Sequence, residues 1–165
     1  MSLYTFAGIT NNSFVHRVKE GRIDPAQYYR YLTNFLMYYY LLETQYNKDN
    51  SAKISTISQR ISHDLNYLEV KYNLREVPVA NATESYIAYI HSISNDRGKL
   101  LAHVYANCVM HNYINDMLDT SILFDTAVHQ TVTILCNDTA EVEVSISWIS
   151  KVYNDLETIF VGKSY

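Results

Sequence analysis

The feature that most constrains this chain is where its prolines and glycines fall. Only two prolines and four glycines occur in 165 residues, and they punctuate periodic apolar segments rather than interrupt them. Long segments without breakers predict helices. Gly21 follows Phe14-Val15-His16-Arg17-Val18-Lys19-Glu20, whose closing bases mark a helix C-terminus. Asp24-Pro25-Ala26-Gln27 then reads as N-cap, proline at the first helical position and capping-box glutamine. The helix it opens carries Tyr28, Tyr31, Leu32, Phe35, Tyr39, Leu42 and Tyr46 at helical spacing.

The same pattern continues along the chain. After the polar break 47–51, Ile54, Ile57, Ile61, Leu65 and Leu68 mark one helix face. Asn81-Ala82-Thr83-Glu84 reads as the cap of a short helix with Tyr86, Ile90 and Ile93 inward, and Asp96 as the N-cap of a helix reaching about Asp119. The segment 121–135 is rich in Thr, Val and Ile, but its length favours helix. Asp138-Thr139-Ala140-Glu141 reads as a capping box before a last helix with Val142, Ile146, Ile149, Tyr153, Leu156 and Phe160 on one stripe. The expectation is an all-α, single-domain bundle of six or seven helices spanning residues 1–165.

Bulk properties narrow the function classes. An apolar content of 48% places the chain among globular proteins. No apolar run approaches the roughly 18–20 residues that span a bilayer, so no membrane partner is expected. The N-terminus has neither a basic region nor an apolar block, which predicts no signal peptide and a cytoplasmic location. A net charge of −4 gives no electrostatic reason to expect nucleic acid. Cys108 and Cys136 lack metal-site spacing and read as buried thiols. Three glycosylation sequons, at Asn11, Asn81 and Asn137, read as chance in an Asn-rich chain. Sixteen tyrosines beside abundant Asn and Ile suggest an AT-rich coding sequence, as in many phages, and hence a bacterial or virus-infected cell.

Three segments, in order, resemble one family. Phe14-Val15-x-x-Val18-x-x-Gly21-x-Ile23, followed by Tyr28-x-x-Tyr31-Leu32 and Tyr39-x-x-Leu42-Glu43, is similar to the passage from the first to the second helix of biliverdin-forming heme oxygenases. Ile61-Ser62-His63-Asp64-Leu65-Asn66-Tyr67-Leu68 resembles a later helix of that family. Leu100-Leu101-Ala102-His103-Val104-Tyr105, preceded by Tyr86-Ile87-x-Tyr89-Ile90, resembles the start of its distal helix. The likeness covers residues 10–118 and implies a heme oxygenase-like fold, with heme or another tetrapyrrole as ligand.

The resemblance also implies a ligand set, and this chain departs from it at three places. The position of the family's iron-binding histidine is occupied by Phe6. His16, ten residues later, is a weak alternative, since on a continuous helix it points about 80° off that face. The family's distal glycines, which let backbone approach the heme, correspond to Met110, Ile114 and Asn115, and its distal aspartate to His111. Residues 119–140 contain no Lys or Arg to hold heme propionates, and His129 is a poor substitute. His111 or Met110 could bind an iron that entered, but a second strong ligand favours a closed centre over an oxygenase. His103 matches a structural family histidine. Tyr105 matches a position whose phenol can reach a propionate.

Other chemistries have less support. Thiamin-pyrimidine-processing relatives place an acid where this chain has Asn34-Phe35, and Cys108 does not match their nucleophile. No Glu-x-x-His pair for a di-iron site occurs. His63 and Asp64 are adjacent on a helix and diverge. Tyr38-Tyr39-Tyr40 reads as core and rim, with stacking on a flat ligand as the alternative.

The sequence reading is thus a divergent, non-catalytic heme oxygenase-like protein with a cleft for heme or another flat apolar ligand. Its candidate contacts are Phe6, Tyr105, Met110, His111 and Ile114, with His16 and His111 as weak metal candidates. The alternatives are a genuine minimal heme oxygenase and a structural or protein-interaction module with an unknown protein partner.

Overall fold

A computed structural model describes residues 9, 11–48, 57–75, 79–118, 136 and 138–161. Among the described residues there are six helices and no strand: α1 (Ser13–Lys19), α2 (Pro25–Asn47), α3 (Ser58–Tyr72), α4 (Asn81–Ser92), α5 (Arg97–Met117) and α6 (Thr139–Val161). None of the described helices is long and apolar enough to cross a membrane. The segment 121–135, expected to be helical, lies outside the described residues, as do Phe6, Ile54 and His129.

Local chemistry sets several boundaries, and those at Gly21 and Asp24–Gln27 are as the sequence predicts. Asn12 caps α1 by accepting from the Phe14 amide at 2.8 Å. At the other end Gly21 takes φ +70°, so that Arg22 N–H reaches Arg17 O at 2.8 Å and Gly21 N–H reaches Val18 O at 3.1 Å. That double bond pattern needs a left-handed residue, for which glycine has no steric penalty. The Asp24–Gln27 capping box of α2 is complete in both directions.

Helix α2 lies at the centre. It packs on α3, α4 and α5, while α6 packs on α5, α4 and α1. Its Tyr28, Tyr31, Leu32, Phe35, Tyr38, Tyr39 and Leu42 are all buried, as are Ile61, Leu65, Leu68, Tyr86, Ile90, Val142, Ile149, Tyr153 and Leu156 on the neighbouring helices. Burying so many phenols requires an internal partner for each hydroxyl. Tyr28 finds Asn115, Tyr31 finds His111, Tyr39 finds Cys108 and Tyr86 finds His103.

Other helix ends are capped from a distance. The Glu43 carboxylate on α2 accepts from the amides of Ile57 and Ser58 at 3.0 and 3.1 Å, closing the start of α3. Asn81 is not the cap of α4: Ala80 occupies that position and supplies no side-chain bond. Instead Asn34 Oδ1 accepts from Ala80 N at 3.0 Å and Thr83 Oγ1 at 2.8 Å, and Asp155 Oδ2 accepts from Ala82 N at 2.8 Å. Helix α1 is fastened to α6 by Asn12 with Asn154 and by a two-nitrogen contact from Arg17 to Glu157.

Candidate functional site

Helix α5 carries most of the residues singled out by the sequence. Met110, His111 and Ile114 lie on its inward face, with 1%, 6% and 0% of their surfaces exposed. Spacings of three and four residues make Ile114 the helical neighbour of His111 and of Met110, and His111 packs on α2 through Tyr31 and Phe35. Tyr105 projects roughly 140° around the helix from Met110 and is half-buried against the core. His16 is exposed on α1. The structure therefore brings three of the candidates together and leaves Tyr105 and His16 apart from them.

Both nitrogens of His111 are occupied. Tyr31 Oη lies 2.9 Å from Nδ1, and Asn115 Nδ2 lies 3.1 Å from Nε2. Asn115 is oriented by Tyr28, whose hydroxyl donates to Oδ1 at 3.2 Å. Its amide therefore faces His111 as a donor, so Nε2 accepts and Nδ1 carries the proton toward Tyr31. Tyr31 in turn bonds Tyr153. The pattern is that of a neutral imidazole with neither lone pair nor proton to spare.

One face of the imidazole is covered as well. Phe35 stacks on it at a centroid distance of 4.4 Å and 10° between planes, and Tyr31 lies at 6.0 Å and 20°. Phe14, Tyr31, Phe35 and Tyr39 continue the ring contacts at 5.0–6.1 Å. These are contact distances between neighbouring rings, leaving no slot for a flat ligand among them. Burial drives the Tyr31 phenol far above its ordinary range, so it stays protonated as a donor.

A second polar cluster surrounds His103, which is fully buried between α4 and α6. Its Nε2 lies 2.6 Å from Glu141 Oε2, which also accepts from Tyr89 Oη at 2.6 Å. Its Nδ1 lies 2.6 Å from Tyr86 Oη, and that oxygen is further met by Asn107 Nδ2 at 3.0 Å and Ser145 Oγ at 3.2 Å. Burial lowers the His103 pKa, partly offset by Glu141. With a neutral ring donating from Nε2, each bond has one donor and one acceptor. Asp138 does cap α6 through the Glu141 amide at 3.0 Å, yet the Glu141 side chain serves this cluster.

The Cys108 thiol meets Tyr39 Oη at 2.9 Å and is pushed up to about 11 by burial, which makes it a poor nucleophile. No group of three or more potential metal ligands occurs among the described residues.

Between the start of α3 and the end of α5 is a pocket lined by Ile57, Arg60, Ile61, Asp64, His111, Asn112 and Asn115, with about 330 Å³ of empty space including its open mouth. In the sequence Asp64 stands out only beside His63 and Arg60 not at all; their spacing of four on a helix is the available signal.

Comparison with known families decides the ancestry. The heme oxygenase family model matches residues 7–110. The chain belongs to the heme oxygenase family. No curated protein and no solved structure gives a match to the chain. The matched stretch ends at Met110. The described residues do not fit heme as a reacting ligand: Met110 and Ile114 fill core volume, and His111 is bonded at both nitrogens and stacked.

Proposed function

We propose that this chain is a divergent, non-catalytic member of the heme oxygenase family. The observation that carries the reading is the clamp on His111, held by Tyr31 and Asn115 and covered by Phe35. Oxygen chemistry on a tetrapyrrole needs an open distal side, and Gly residues provide it by omitting side chains. Met110, His111 and Ile114 put three side chains there. The absence of any Lys or Arg from residues 119–140 supports the same reading, because two propionates would go without a charge-assisted anchor.

Titrating hemin into the full chain and following the absorption spectrum tests this. The expected spectrum is that of free or weakly associated hemin, unchanged by His111→Ala. A stoichiometric Soret band that is lost in His111→Ala places iron at His111 and overturns the clamp as an explanation.

A further inference from the structure

We propose that the pocket between α3 and α5 is a binding site for a compact zwitterion of the amino-acid class, its ammonium held at Asp64 and its carboxylate at Arg60. The proposal is independent of whether heme binds or reacts.

The pocket has an unusual pair of charges. Arg60 and Asp64 stand one turn apart on α3 and both line it. Opposite charges at this spacing are within reach of each other. Among the described residues the guanidinium and carboxylate form no ion pair, and neither side chain takes part in a hydrogen bond. Arg60 is exposed at the mouth, whereas Asp64 is half-buried. Desolvation pushes the Asp64 carboxyl up to about 6, a cost that a cationic donor would relieve. A carboxylate half-removed from water without a donor is the part of this surface most improved by a ligand.

The opposite wall supplies polarity without net charge. Asn112 and Asn115 come from α5, and Asn115 is fixed by Tyr28 and His111. Ile57 and Ile61 form the apolar side. A lone cation would meet Asp64 but be repelled by Arg60, and a lone anion the reverse. A molecule carrying both charges satisfies both, and Arg favours the planar carboxylate through its two-pronged donor geometry. The small volume limits the occupant to a compact one.

Glycine, methylammonium and acetate titrated into the ¹⁵N-labelled full chain separate the possibilities. Glycine is expected to produce saturable shifts of the Asn112 and Asn115 side-chain amides and the Arg60 Nε–H. Asp64→Asn, which is isosteric, and Arg60→Gln, which shortens an exposed side chain and removes its charge, are each expected to weaken glycine binding about tenfold or more. Methylammonium and acetate should bind more weakly than glycine. Shifts that do not saturate, glycine binding that survives both substitutions in a folded protein, or equal binding of methylammonium or acetate would each overturn the proposal.

Discussion

Glu141 Oε2 lies 2.6 Å from His103 Nε2, joining the first turn of α6 to the middle of α5 inside the protein. The histidine then passes the chain of bonds to Tyr86, Asn107 and Ser145. Replacing His103 with Ala leaves a buried carboxylate and a buried phenol each short of a partner. The expected loss is about 3 kcal/mol or more, measured by urea unfolding. Both donors meet the same oxygen, so Glu141→Gln can keep the two contacts on its carbonyl oxygen while losing the charge, and should cost less, roughly 1–2 kcal/mol. Equal stability of all three proteins would mean that the network contributes nothing.

Two groups give the stability a divided response to acid. The His103 pKa is lowered in the fold, so the unfolded chain takes up a proton first and stability falls as pH drops below about 6.5. Asp64 is raised from 3.8 to about 6, so the folded chain takes up that proton first, and stability rises as pH falls from about 6 towards 4. Asp64→Asn removes the second response alone. It should be more stable than the parent at pH 7, with the difference shrinking through that window. A pH-independent difference would contradict the assignment to Asp64.

Glu43 gives a test of tertiary capping. Glu43→Ala frees the Ile57 and Ser58 amides and should cost about 1–2 kcal/mol. Faster hydrogen exchange should be confined to the start of α3, while Glu43→Gln, retaining one acceptor, lies between. Unchanged exchange at Ile57 and Ser58 would show that another group caps them.

The His111 clamp specifies a tautomer. Histidine ¹⁵N spectra should give His111 as a neutral ring protonated on Nδ1, and Tyr31→Phe should lower stability by about 1–2 kcal/mol through that orphaned nitrogen. An Nε2-protonated ring would reverse the donor order in which Asn115 gives to His111.

What was legible in the sequence depended on distance along the chain. The Asp24–Gln27 box, Gly21 and the apolar stripes act over one to four residues, and the structure reproduces them. Asn81 is not the cap of α4, because the groups that hold its first turn, Asn34 and Asp155, lie on α2 and α6. Glu43 was visible only as part of a family-like Tyr-x-x-Leu-Glu pattern, with nothing to indicate that it reaches α3. Asp138-x-x-Glu141 promised a reciprocal box, yet the buried histidine takes the glutamate because an unpaired His103 would cost more than a solvated amide. His111 was identified as a candidate from its position, but its occupied nitrogens follow from Tyr31 and Asn115 converging on it in three dimensions. Phe6 remains outside the described residues.

The central claim, that the family's chemistry has been lost, is tested most directly by turnover. The full chain would be incubated with equimolar hemin, oxygen and a reductant, and biliverdin quantified against hemin treated identically without protein. The account predicts no biliverdin beyond that control. Stoichiometric biliverdin formed only in the presence of the chain would contradict it.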